Sequence, residues 1–148
     1  MGVAKASVVI TRNVEDVFGV LSDVTNVPKW NRNAIEVTPL TSGPMRVGSR
    51  RRAVSRTFGG GTQTNEAEMV EFEPRRRMVV KSVGGPFVWR AVIEFGEVSG
   101  GTSIDRTWTF ERPRGLYGVM SPVLPTLMRK EFQRDLDNLK RLMESGGL

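Results

Sequence analysis

Arg106 and Tyr117 are the side chains best placed to do chemistry in a 148-residue chain that has no Cys and no His. Without them, thiolate chemistry, disulfides, the commonest metal ligand and the commonest acid/base at neutral pH are all missing. Catalysis would have to run on carboxylates, Arg, Lys, Tyr or hydroxyls, and neither a metal nor a cofactor is expected. Arg106 shares a strand face with Ile104, Trp108 and Phe110, and a charge on an aromatic face has two explanations. Either it lies near an open end with its head in water, or it is inside and paired with a carboxylate or a ligand anion. An inward arginine could hold an enolate oxygen, assisted by Tyr117 or by a carboxylate such as Glu66. Glu66 is expected to point outward, however, and no second carboxylate is placed on the inner face.

Such groups need elements to hold them. Leu124, Met128, Phe132, Leu136, Leu139, Leu142 and Met143 recur at steps of three and four within 121–145. That is one stripe of an amphipathic helix, which is stable only on an apolar surface. The rest of the chain reads largely as strands, so the surface is expected to be one curved antiparallel sheet. A strand at 4–11 comes first. Asn13 then caps a short helix with Val14, Val17, Phe18 and Leu21 on its apolar face and Glu15 and Asp16 at its positive end. A second short turn or helix covers 25–30, with Pro28 in its first turn. Trp30 is either a plug between these helices and the sheet or one wall of a pocket.

After a strand at 35–40 and a turn at 41–44, two hairpins follow. Strands 49–58 and 62–72, paired symmetrically about Gly60, set Arg52 opposite Glu68, Ser55 opposite Asn65 and Ala53 opposite Ala67. Arg50, Arg52 and Arg56 then face solvent, while Ser55, Asn65, Ala67 and Met69 face inward. A slip of one residue would bury the arginines. Beyond a strand at 78–83, strands 87–98 and 102–112 are closed by Gly100 and Gly101, a pair suited to a type I′ turn. This sets Phe95 opposite Arg106, Ile93 opposite Trp108 and Ala91 opposite Phe110. Phe87, Trp89, Ala91, Ile93 and Phe95 then make the concave side with Ile104, Trp108 and Phe110. The segment 113–125 is apolar but broken by Gly and Pro, either a linker packed on the core or a flap over a pocket mouth. The final helix starts at Ser121 and Pro122, or only near Thr126 because of Pro125.

Length and composition point to a single domain over 1–148, with no membrane span and a soluble, cytoplasmic protein. A net charge of +6 and a pI near 10.5 raise a nucleic-acid reading. The arginines are spread along the chain, though, and the runs 50–52 and 75–77 sit beside Glu66, Glu68, Glu71 and Glu73. Solvated strand and turn faces are the favoured explanation.

The order of elements, together with VVITRNVEDVFGVLSDVTNVPKWN, VGSRRR, EMVEFEPRRRMVVKS, SGGTSIDRTWTFE and the terminal helix, resembles the START-like (SRPBCC) superfamily, in particular its polyketide cyclase/dehydrase branch. The resemblance spans nearly the whole chain. It implies an α+β helix-grip fold, a curved antiparallel sheet of about seven strands wrapped around a long C-terminal helix, with two short helices after the first strand. It also implies a deep, mostly apolar cavity between sheet and helix. On the residue reading, Trp89, Ile93, Met69, Trp108 and Phe110 would line that cavity with Met128 and Phe132. Trp30, Ala67 and Tyr117 are further candidates, and Arg106, Asn65 or Ser55 would meet the polar end of a ligand. The expected function is binding of a small hydrophobic or amphipathic molecule such as a lipid, polyketide or quinone, by a monomer or homodimer. The alternatives are a polyketide cyclase/dehydratase and a basic RNA- or protein-interaction module. A fold hosts many functions, so these motifs mark the architecture rather than the chemistry.

Overall fold

Polar residues alternating with β-branched and aromatic ones draw most of the chain into strands. In the structure, a computed structural model that describes residues 2–57, 60–84, 88–111 and 123–148, the strands are β1 (Gly2–Ile10), β2 (Ala34–Pro39), β3 (Arg50–Arg56), β4 (Thr62–Glu73), β5 (Arg77–Gly84), β6 (Trp89–Val98) and β7 (Gly101–Phe110). All seven join one antiparallel sheet in the order β1-β7-β6-β5-β4-β3-β2. Between β1 and β2 lie α1 (Val14–Ser22), a 3₁₀ turn (Val24–Asn26) and α2 (Val27–Trp30); α3 (Leu124–Glu144) follows the sheet. The expected class and architecture are therefore present: a curled half-barrel, short helices after the first strand, and a long C-terminal helix. No described helix is long and apolar enough to cross a membrane.

Local chemistry sets the boundaries. Asn13 Oδ1 accepts from the Asp16 N–H at 2.8 Å and starts α1, and Asp23 Oδ1 accepts from the Thr25 N–H at 3.0 Å and starts the 3₁₀ turn. The sheet curls with the help of register shifts in β4, between Glu66 and Ala67 and between Met69 and Glu71, since an extra residue on one strand bends it. The start of α3 differs from the expectation of a helix beginning near Thr126. It begins at Leu124 with Pro125 in its first turn, where a proline's missing N–H removes no internal hydrogen bond. The alternative start at Ser121 and Pro122 lies outside the described residues, as do Phe87 and the supposed linker or flap at 113–122.

Both hairpin registers differ from the expected ones by two residues, and for one reason. In the β3–β4 hairpin Arg50 pairs with Glu68, Arg52 with Glu66, Arg51 with Ala67 and Ala53 with Asn65. The loop runs from Thr57 to Gly61, tied by the Thr57 N–H to the Gly61 carbonyl at 2.9 Å, and so is longer than three glycines. In the β6–β7 hairpin Phe95 pairs with Ile104, Ile93 with Arg106, Ala91 with Trp108 and Trp89 with Phe110. Its loop is Ser99–Gly100, not Gly100–Gly101. Only Gly100 takes positive φ, +80°, so the turn is not type I′. Gly101 is used in the strand instead, where any side chain would collide with the Ile10 carbonyl. A shift of two keeps every side chain on its expected face. Arg50, Arg52 and Arg56 are exposed, and Arg50–Glu68 and Arg52–Glu66 are ion pairs at 3.1 and 3.2 Å.

The core is a continuous cluster in which Ile10, Val17, Ile104, Leu136, Leu139 and Met143 are each at most 1% exposed. The C-terminal end of α3 is fastened over it by polar links to β1 and the turn that follows. Lys140 Nζ donates to the Val9 carbonyl at 2.6 Å, the Thr11 N–H donates to Glu144 Oε2 at 2.9 Å, and Arg12 Nη1 donates to the Met143 carbonyl at 2.9 Å. The Lys140 hydrogen bond, backed by that from Thr11, holds the Glu144 carboxyl down at about 2. At the other end Val123 caps α3 with no side-chain hydrogen bond.

Candidate functional site

Where the first half of α3 crosses the concave face of the sheet, the two enclose a cavity of about 580 Å³ with α2 at one side. Eleven of the residues singled out from the sequence line it: Trp30, Ser55, Asn65, Met69, Trp89, Ile93, Arg106, Trp108, Phe110, Met128 and Phe132. Two do not join them. Ala67 is 2% exposed and borders a second pocket of about 230 Å³ instead. Its methyl lies beside the much longer side chain of Arg51, its cross-strand partner, which takes the place at the cavity wall. Tyr117 lies outside the described residues.

The aromatic wall follows from the β6–β7 register, which stacks Trp89 across from Phe110 on the concave face beside Trp108. Trp108 is central: its ring centroid lies 4.7 Å from Phe110, 6.2 Å from Trp89 and 5.4 Å from Phe132, the last edge-on. These are ordinary offset and edge contacts, so the rings form one semi-rigid wall. Trp108 and Phe132 touch, yet the space around them stays open. Trp30, for which the sequence leaves plug and wall as alternatives, is both. It is 5% exposed and belongs to the core cluster while lining the cavity.

Charge enters this apolar space at three points. Arg106 is inside, not at a watery edge, with its guanidinium carbon 4.1 Å from the Phe132 ring centre in a cation–π contact. Its Nε and Nη1 are buried with no hydrogen-bond partner among the described residues. Burial pulls this guanidinium below its ordinary value, and the Asp135 charge offsets that in part. Arg51 reaches the same cavity from β3, and burial together with the Arg106 charge brings it down to about 10. Asp135, on α3, is 1% exposed and accepts from the Arg32 N–H at 3.3 Å. Burial pushes its carboxyl up to about 6, against the pull of that hydrogen bond and of the Arg106 charge.

Asp135 corrects the second half of the expectation that Glu66 points outward and no second carboxylate lies on the inner face. Glu66 does point outward, to Arg52. Asp135 was legible all the same: it falls three residues after Phe132 and four before Leu139, on the apolar stripe itself. Arg51 has the same parity as Ser55 on a strand whose odd positions face inward. Among the described residues no three potential ligands converge to hold a metal. The three buried side-chain atoms without partners among the described residues, Trp30 Nε1 and the two on Arg106, all belong to residues that line this one cavity. Such a site can solvate an apolar body against aromatic rings and offer cationic donors to one end of it.

The comparisons with known proteins agree with this architecture. A protein of Thermus thermophilus, TTHA0849, superposes with a TM-score of 0.83 at 17% identity, over 99% of each chain. DR_A0006 of Deinococcus radiodurans gives 0.73 at 22% identity, again over 99% of each. DynU16, from the dynemicin biosynthetic locus, gives 0.68 at 19% identity over 99% of this chain and 48% of its own. At these identities the likeness is one of fold. No curated protein matches the sequence. A family model described as "Polyketide cyclase / dehydrase and lipid transport" matches residues 1–144. With a match over that length, and with the curled sheet, gripping helix and enclosed cavity in place, the chain belongs to the polyketide cyclase/dehydrase and lipid transport family.

Proposed function

We propose that this protein binds one small amphipathic molecule, lipid-, polyketide- or quinone-like, in the cavity between the sheet and the first half of α3. The observation that carries the reading is the cavity's size and lining: about 580 Å³ walled by Trp89, Trp108, Phe110 and Phe132 with polar groups such as Arg106, Ser55 and Asn65 among them. Pockets of ~300–1,000 Å³ with this mixture are the usual seats of drug-sized ligands. All three tryptophans of the chain line the space, so its own fluorescence reports occupancy. Protein purified from its own host is expected to retain a small molecule in native mass spectrometry. Solvent extraction of that molecule should shift the tryptophan emission, and adding it back should restore the spectrum. Retention of nothing, together with an emission spectrum indifferent to any apolar probe, would remove the reading.

A second reading, cyclisation or dehydration of a bound poly-ketone, is favoured by one observation. Asp135, with its carboxyl pushed up to about 6, lies within electrostatic reach of Arg106. A base of that strength could take a proton alpha to a carbonyl while Arg106 donates hydrogen bonds to the resulting enolate oxygen. Binding remains the preferred function because Asp135 is almost inaccessible and already engaged by the Arg32 N–H. Incubation with a poly-β-ketone decides between them. Catalysis requires turnover that Asp135→Asn abolishes, whereas a binding protein gives the same product profile with and without the substitution.

A further inference from the structure

We infer that the molecule held in this cavity is a monoanion, a carboxylate or a group of equal charge, whose head sits between Arg51 and Arg106 with its apolar body against the aromatic wall. The inference rests on the binding reading and adds the chemical class of the ligand.

Five arginines and two carboxylates border the cavity. At the rim, Arg134 is paired with Glu131 at 3.4 Å, and Arg56 donates to the Arg32 carbonyl at 2.7 Å while its side chain faces solvent. Arg32 lends its backbone N–H to Asp135. The side chains of Arg32 and Arg56 are exposed and keep their hydration, which leaves Arg51 and Arg106 as the cavity's cations that are neither exposed nor ion-paired among the described residues. The residues outside the described set include no Asp or Glu and so add no side-chain carboxylate to the cavity. Asp135 is the only acid whose charge reaches Arg106, and it forms no ion pair with it. Two guanidinium groups near each other in a low-dielectric space repel, and each loses hydration that its surroundings do not replace. Two cations against one buried carboxylate leave a surplus of one positive charge, which a single negative charge balances.

Geometry selects the kind of anion. The Arg106 guanidinium carbon lies over the Phe132 ring, and its Nε and Nη1 have no partner among the described residues. A planar guanidinium with unpartnered N–H donors suits a planar carboxylate, which accepts from two of them at once, or an enolate. A phosphate dianion would exceed the charge surplus. Trp108 and Phe110 continue the wall beyond Arg106 and give the body of the molecule an aromatic surface.

The test uses the full-length protein and two fluorescent probes with one skeleton, anthracene-9-carboxylate and 9-anthracenemethanol, with tryptophan quenching as readout. The carboxylate is expected to bind about tenfold or more tightly than the alcohol, as hydrogen bonds to charged groups allow. Arg106→Gln and Arg51→Gln should each reduce that preference, taken as the ratio of the two affinities within the same variant, to about threefold or less. Circular dichroism establishes that each variant is folded; should Arg106→Gln not fold, Arg51→Gln alone carries the test. Equal affinity for acid and alcohol in the unsubstituted protein overturns the inference and leaves the binding reading intact. So does a preference that survives Arg51→Gln. If neither probe binds and nothing is retained from the host, the binding reading falls, and this inference with it.

Discussion

The two halves of α3 lie against the same sheet and do opposite things. From Leu136 to Met143 the inward residues Leu136, Leu139 and Met143 are at most 1% exposed and share one core cluster with Ile10, Val17 and Ile104. From Leu124 to Asp135 the same stripe faces the cavity, and it presents there an aliphatic chain, a thioether, a phenyl ring and a carboxylate, those of Leu124, Met128, Phe132 and Asp135. One periodic pattern thus serves two purposes. The difference arises from what stands opposite: small and β-branched residues of β1 and α1 let the second half close down, whereas the large rings and arginines of β3, β6 and β7 face the first half across the cavity. Stability and recognition are separated along one helix. Substitutions should sort accordingly.

The largest effect expected of this division is on stability. Leu139→Ala, at a fully buried position, should cost about 2–5 kcal/mol in chemical denaturation, while Met128→Ala, partly buried at the cavity, should cost about 1 kcal/mol or less. Equal costs would mean that the first half of the helix is as tightly packed as the second. Asp135 gives the next test, with a sign opposite to most substitutions of buried residues. Its folded-state value of about 6 lies above the ordinary 3.8, so folding opposes its ionisation and the protein loses stability as pH rises between these values. Asn mimics the neutral form throughout. Asp135→Asn should therefore be more stable than the parent by about 1–3 kcal/mol near pH 8 and no more stable near pH 4.

A smaller effect sharpens the account of the cavity. Arg106 from β7, Arg32 from the segment before β2 and Glu131 on α3 are the charges that act on Asp135. As Asp135 takes up its proton below about pH 6, it ceases to compete for Arg106. The affinity for anthracene-9-carboxylate, which stays ionised to about pH 5, should then rise severalfold between pH 8 and 5. Asp135→Asn should flatten that profile at its high-affinity end. The smallest effect belongs to the outer face. Removing the exposed Arg52–Glu66 pair should change stability by less than about 1 kcal/mol and leave probe binding untouched.

The sequence made the faces legible and the spacings illegible, and the hairpins show why. The alternation of Arg50, Arg52 and Arg56 with Ala53 and Ser55 forbids a slip of one residue, because those three arginines would turn inward. It barely penalises a slip of two. Loop geometry decides that, and runs such as Gly59 to Gly61 and Gly100 to Gly101 offer several loops of nearly equal merit. Arg51 and Asp135 could have been placed by parity and by helical period. Both were obscured by the expectation that charge on these elements points outward, which holds for their neighbours Arg52 and Arg134. The distance between α3 and the sheet depends on ring contacts such as Trp108 with Phe132 and has no counterpart in local pattern.

The links that Lys140, Glu144 and Arg12 make at the far end of α3 carry a mechanical consequence. A beam clamped at one tip yields at the other, and among the described residues no side-chain hydrogen bond ties the helix between Val123 and Lys130, so cargo should gain admittance there without disturbing the clamp. Deuterium uptake should accordingly be fast over the first two turns of the helix and slow from Leu136 onward, and removing one mooring with Lys140→Ala should lessen that gradient.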